Sequence, residues 1–157
     1  NLNKLLIRIL LHLQVEFSHD FMTQIKKNNL EEYITAYGAK YGEEKNNFFL
    51  EADVFVFPTF YNNECFPLVL LEAMEQGIPC ISTEEGGIPS IIEDNKTGYI
   101  IQKQSPRELA EKIDYFIQNP DKCISMGNAG RERFKQEFNL SSFENHIIEI
   151  LKQVASN

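Results

Sequence analysis

The sequence predicts a three-layer α/β domain built on a parallel sheet. Two features carry that prediction. From about residue 34 onward, short apolar runs of strand type alternate with longer stretches of helical period, and one run, Val54-Phe55-Val56-Phe57, is apolar at every position. Such alternation is the pattern of strand-helix-strand units. A strand apolar on both faces needs helices above and below it, so this one is expected inside the sheet.

Residues 1–19 read as an irregular or helical N-terminal segment. Leu2–Gln14 has the spacing of an amphipathic helix, although a sheet of this type also calls for a strand nearby, and Val15–Phe17 is too short to assign. The run Leu5–Leu13 is interrupted by Arg8 and His12, falls well short of the about 20 residues that cross a bilayer, and lacks a small-residue cleavage site. The chain begins at Asn1 and not at Met, so a piece of a longer protein is expected.

Residues 20–157 are expected to form one domain, with strands at Tyr33–Tyr37, Asp53–Phe57, Pro79–Ser82 and Thr97–Ile101. A helix is expected over Glu43–Glu51, its Glu43-Glu44-Lys45 forming a charged first turn at the surface. Pro67–Gln76 is a second helix, stopped by Gly77, and Pro89–Glu93 a short third one; both prolines suit a first helical turn. Ser105-Pro106 with Glu108 three residues after the serine reads as a capping box, opening a helix to Gln118 that Asn119-Pro120 breaks. Asp121–Glu137 and Ser141–Val154 complete the set, and the stripe Phe143, Ile147, Ile150, Leu151, Val154 is expected to pack against the sheet or a neighbour. There is no repeat, no low-complexity tract and no linker rich in Gly or Ser, so the sequence supports no second boundary.

In 157 residues, 43% hydrophobic and 24% charged, there is enough apolar surface for a core without staples. The formal charge of -8 opposes a polyanionic partner, which excludes nucleic acid. Cys65, Cys80 and Cys123 lack metal-ligand spacing and read as buried thiols in a reducing cytoplasm; no metal and no cofactor is expected. His12, His19 and His146 fall outside every motif and read as surface or packing residues.

Chemistry concentrates between Asp53 and Gly77, where a buried strand runs through Pro58-Thr59-Phe60-Tyr61-Asn62-Asn63-Glu64 into a helix. In open parallel sheets the ligand crevice lies beyond the carboxyl ends of the strands, where helix N-termini point outward. The N–H groups of residues 66 to 69, reinforced by the helix dipole, suit a diphosphate. Glu64 at the loop tip is placed to reach sugar hydroxyls. Glu72, a turn and a half inside a helix otherwise reading Leu68, Val69, Leu70, Leu71, Ala73, Met74, is placed to accept from vicinal ribose hydroxyls. Spacing alone would equally describe two solvated glutamates; the apolar helix around Glu72 is what favours a site. Gly86-Gly87 reads equally as a crevice lining or as a turn needing positive φ.

These residues resemble the family 4 retaining glycosyltransferases of GT-B architecture, whose donor site bears a Glu-x7-Glu motif. The resemblance rests on Asp53-Val54-Phe55-Val56-Phe57-Pro58-Thr59, Glu64-Cys65-Phe66-Pro67, Leu71-Glu72-Ala73-Met74, Gly77-Ile78-Pro79, Gly86-Gly87-Ile88-Pro89, Asn95-Lys96-Thr97-Gly98-Tyr99 and Pro106-Arg107-Glu108-Leu109-Ala110, in that order, and covers about residues 20 to 154. It implies a Rossmann-like C-terminal half of a GT-B fold that binds a nucleotide-sugar donor, with the N-terminal acceptor domain not included. It also implies metal-free transfer with retention of configuration, from a nucleotide diphosphate sugar to a glycan or a lipid-linked saccharide, in polysaccharide biosynthesis. Glu64 would be catalytic, positioning the donor sugar; Phe66, Pro67, Leu68, Val69 and Glu72 would bind the donor, and Gly38 and Lys40 would lie near the base. Peripheral membrane association of the full-length enzyme is compatible with it. The chain departs from the family where an Arg and a Lys normally neutralise the diphosphate in the first strand-helix unit, and at Ser90, where an acid is usual. Two rivals share the alternation of elements: a non-enzymatic doubly wound partner or regulatory module, which would need acids at its strand ends, and a GT-B nucleotide-sugar epimerase.

Overall fold

The computed structural model describes residues 8–11 and 19–156. Among the described residues four parallel strands form one sheet in the order β1-β2-β3-β4, with β1 Ile9–Leu11, β2 Val54–Phe57, β3 Cys80–Thr83 and β4 Gly98–Ile101. The helices among the described residues are α1 His19–Lys27, α2 Gly42–Glu51, α3 Leu68–Glu75, α4 Ile88–Ile91, α5 Pro106–Gln118, α6 Pro120–Glu137 and α7 Leu140–Ala155.

The interior position expected of Val54–Phe57 is found. Side chains alternate across a strand, so Phe55 and Phe57 enter one core with Phe49 of α2 and Leu70, Ala73 and Met74 of α3. Val54 and Val56 enter a second core with Tyr99, Ile101, Phe116 of α5 and Met126 of α6. Each of these strand side chains, removed from water, contributes roughly 1.5–3 kcal/mol. The sheet is therefore covered on both faces, and three layers follow.

α6 serves both cores. Cys123 and Met126 lie in the second, while Phe134 packs against the first. Gly127 lets the helix approach the end of α3: a Cβ there would stand 2.0 Å from the Gly77 carbonyl oxygen. α3 itself ends because Gly77 turns left-handed at φ +75 while its N–H donates to Met74 O at 2.9 Å.

Several expectations are corrected. Tyr33–Tyr37 forms no strand: Leu30–Tyr33 turns, residues 34–41 carry no regular structure, and Tyr33 is 81% exposed. Its β-forming side chains meet no partnering strand among the described residues, and strand propensity acts only through cross-strand packing. Within the proposed Leu2–Gln14 helix, Ile9–Leu11 is instead a strand paired parallel to β2; the rest of that segment and Val15–Phe17 lie outside the described residues. His19–Lys27 is a helix that the sequence reading did not assign. Pro67 precedes α3 as its cap residue instead of opening it. The Ser105 capping box does not form: Glu108 accepts from the Gln102 N–H at 2.8 Å, tying the loop after β4 to α5. The apolar stripe of α7 is exposed along its length and, among the described residues, belongs to neither core. Cys65 is exposed, unlike Cys80 and Cys123.

Candidate functional site

The site is built where β2 and β3 end. Ser82 donates to the Phe57 carbonyl at 2.7 Å and Thr83 donates to the Thr59 carbonyl, so the start of the loop after β2 is fixed by the neighbouring strand. From there the chain turns at Tyr61–Glu64, where the Glu64 N–H donates to Tyr61 O at 2.9 Å, and enters α3 at Leu68. The helix forms readily because Leu, Ala, Met and Glu are strong helix formers.

Among the described residues the tip of α3 is open: Pro67 provides no side-chain cap, Leu68 is 65% exposed and Phe66 41% exposed, so no described side chain packs over the first-turn N–H groups. Helix N-termini left this way concentrate positive potential and donors. Pro67 and Val69 turn their side chains inward, Val69 against the first core, which leaves their backbone and not their side chains to meet a ligand.

A second loop presses on this turn from below. Gly86 adopts φ +48, and a Cβ there would lie 1.6 Å from the Glu64 carbonyl oxygen; one on Gly87 would lie 2.6 Å from Cys65 O and 2.8 Å from the Phe66 ring. The Gly87 N–H donates to Cys65 O at 2.6 Å. Of the two readings the sequence left open, Gly86 shows the positive-φ turn, and the pair forms the surface against which the Glu64 loop rests. Glu85, 6% exposed, anchors this second loop through Lys103, whose Nζ lies 2.5 Å from Oε1.

Glu72 is half-buried. Its Oε1 accepts from Lys45 Nζ at 2.6 Å, while Oε2 is buried without a hydrogen-bond partner among the described residues. Glu43 and Glu44 do form the acidic first turn of α2, while Lys45, expected with them at the surface, is laid against α3. No local signal could have found it, because the two residues are 27 positions apart and meet only through packing.

Glu64, Phe66, Pro67, Leu68, Val69 and Glu72 thus lie along one turn and its helix. Gly38 and Lys40 lie in the irregular segment before α2; Gly38 is left-handed at φ +68, and the Lys40 ammonium pairs with Glu44 at 3.4 Å, not with α3. Burial pushes the Cys80 thiol up to about 12 and, with the nearby Asp53 charge, the Cys123 thiol up to about 11, which removes both as nucleophiles. Asp53 sits at the amino end of β2, accepting from the Arg8 N–H at 2.7 Å, so it is not an acid at a strand's carboxyl end. Among the described residues no group of three or more His, Cys, Asp or Glu could hold a metal, and no helix is long and apolar enough to cross a membrane.

Shallow clefts lined by described residues flank the sheet, two of them near the strand ends. One of about 200 Å³, lined by Phe49, Asp53, Gly77 and Cys123, lies at the amino ends of the strands, remote from the α3 tip. The other, about 170 Å³ between Pro58, Phe60, Thr83 and Ser105, lies at the carboxyl ends. Ligands of open parallel sheets bind at the carboxyl end, where the second cleft lies and the first does not.

Fold and turn together define a parallel α/β domain in which α3 begins beside the carboxyl ends of β2 and β3. The family model for glycosyl transferases group 1 matches residues 15–133, and the chain belongs to that family. It is 31% identical over 137 residues to the amylovoran biosynthesis glycosyltransferase AmsK of Erwinia amylovora, covering 85% of this chain and 34% of the relative. It is 30% identical over 135 residues to WcaL of Escherichia coli K12, named for colanic acid biosynthesis, covering 83% of this chain and 33% of the relative. The chain therefore spans about a third of the length of these relatives. Its fold matches HepE of Anabaena, solved with UDP, at a TM-score of 0.78 and 21% identity, covering 94% of this chain and 41% of that one. Sucrose-phosphate synthase from Thermosynechococcus elongatus matches at a TM-score of 0.74 and 25% identity, covering 94% and 38%. The α/β domain is thus of the GT-B type.

Proposed function

We propose that this chain supplies the donor site of a retaining family 4 glycosyltransferase, which moves a sugar from a nucleotide diphosphate to a glycan or lipid-linked acceptor in polysaccharide biosynthesis. The observation that carries the proposal is the unsealed N-terminus of α3 at the carboxyl edge of the sheet, with Glu64 before it and Glu72 within it. The solved HepE complexes with UDP and UDP-glucose support a nucleotide-sugar ligand on this fold.

In this reading the backbone N–H groups of Phe66, Leu68 and Val69 face the diphosphate, and Glu72 accepts from the ribose. Glu64 holds the donor sugar and stabilises the positive charge that develops at its anomeric carbon as the bond to the diphosphate breaks. The acceptor hydroxyl attacks from the same face and its proton passes to the departing phosphate oxygen, so no protein nucleophile is required. Preorganised donors at sites of developing charge contribute about 3–4 kcal/mol each to such steps. The acceptor would be held by an N-terminal domain of the full-length enzyme, in the cytoplasm, with Gly38 and Lys40 near the base.

Calorimetry with a panel of nucleoside diphosphates tests the assignment of Glu72: equal affinity for the wild type and Glu72→Gln rejects it. Glu64→Ala in the full-length enzyme should abolish turnover while retaining nucleotide binding, and an unchanged rate removes Glu64 from the site. Isomerisation of free donor without an acceptor would point to an epimerase instead.

A further inference from the structure

We infer that Lys45 forms the second half of the ribose grip, its ammonium fixing the Glu72 carboxylate and donating to a ribose hydroxyl oxygen, so that the pair selects ribonucleotides over deoxyribonucleotides. This rests on the reading of Glu72 as the ribose acceptor.

Lys45 projects from α2 to place Nζ 2.6 Å from Glu72 Oε1 on α3. No acid stands three or four positions from it on its own helix: Tyr41, Gly42, Phe48 and Phe49 occupy those places, and the neighbouring Glu44 pairs with Lys40. The two side chains are 32% and 36% exposed, so a ligand at the α3 tip can reach the pair. An ion pair this open is worth at most about 1 kcal/mol to folding. Stability alone gives it little reason to hold a lysine stem whose immobilisation costs a comparable amount.

The donor and acceptor count favours a diol. An ammonium has three N–H donors and each carboxylate oxygen two lone pairs. With one N–H spent on Oε1, Lys45 keeps two donors, Oε1 keeps one lone pair, and Oε2 has no hydrogen-bond partner among the described residues. A ribose diol brings two O–H donors and two acceptor oxygens. Glu72 alone answers only the donors; the ammonium beside it answers an acceptor. Rotation of the carboxylate about its soft terminal torsion lets a hydroxyl meet the oxygen now left dry. Removing either ribose hydroxyl removes part of this match.

The test is calorimetry on the full-length polypeptide with UDP, GDP and ADP and their 2′-deoxy and 3′-deoxy counterparts, for the wild type, Lys45→Met and Glu72→Gln. For the ribonucleotide bound best by the wild type, Lys45→Met should weaken binding about tenfold. At least one deoxy counterpart should change less than twofold, which also shows the variant folded. The inference fails if Glu72→Gln selectively weakens the ribonucleotide while Lys45→Met changes nothing. It fails equally if Lys45→Met weakens ribo and both deoxy ligands alike, as a cation acting only on the phosphates would. If Glu72→Gln changes no affinity, or the wild type binds none of the nucleotides, the donor-site reading falls and the inference with it.

Discussion

Gly86→Ala is the most demanding test of how the Glu64 loop is held. A Cβ at that position would lie 1.6 Å from the Glu64 carbonyl oxygen and 2.7 Å from its carbon, both backbone atoms that cannot rotate aside. Real Cβ contacts are not found below 3.0 Å, so the two loops must part by roughly 1.4 Å. Two costs arise. Alanine at φ +48 is held in the left-handed region at about 1–2 kcal/mol, and separation lengthens the 2.6 Å bond from Gly87 N–H to Cys65 O, worth about 1 kcal/mol. The variant should therefore be destabilised by about 2–3 kcal/mol in urea unfolding. Moving a positioning group by about 1 Å costs on the order of 10²-fold in rate, so kcat/KM of the full-length enzyme should fall by that order even where the protein remains folded. Gly87→Ala is the internal control: Gly87 has φ -83, so it carries the contact cost without the left-handed strain and should be less destabilised. If Gly86→Ala shifts stability by less than about 0.5 kcal/mol and leaves the rate within twofold, the loop packing described above is wrong.

Gly127→Ala inserts a methyl 2.0 Å from Gly77 O and should cost about 1–3 kcal/mol by forcing α3 and α6 apart; lying at the far end of α3, it should leave nucleotide affinity unchanged by calorimetry. At pH 8 an aromatic disulfide reagent should modify Cys65 rapidly and Cys80 and Cys123 only after denaturant is added; rapid reaction of all three contradicts their burial. Those two thiols also set an alkaline limit. Their folded values, about 12 and about 11, lie above the ordinary 9.0, so the folded state keeps protons that the unfolded state releases. The stability they contribute is complete below pH 9 and is lost as pH rises toward 11 and 12, with a slope of at most about 1.4 kcal/mol per pH unit for each thiol. Urea unfolding between pH 9 and 10.5 should show a shallower decline in Cys80→Ala than in the wild type.

Local chemistry determined much of this protein. The fully apolar Val54–Phe57 could only be an interior strand, Gly77 could only end α3, and Asn119-Pro120 separated α5 from α6, because each effect acts within a few residues. The run from Glu64 to Glu72 was legible for the same reason: a loop leaving a buried strand must enter an apolar helix, and the two acids stand out against it. What lay beyond the sequence depended on contacts between distant segments. Tyr33–Tyr37 had the composition of a strand and no partner to make it one, whereas Ile9–Leu11 became a strand through its pairing with Val54–Val56. Glu108 left its own helix cap for the Gln102 N–H. Lys45 met Glu72, Lys103 met Glu85, and Gly86 came to rest on Glu64 across separations that no periodicity encodes. The sequence determined which residues form the turn into α3 and the helix behind it; only the packing of α2, the glycine loop and the strand ends against α3 decided how those residues are held. A hydrogen bond or a backbone clash is set by atomic positions in space, and those positions belong to the whole fold.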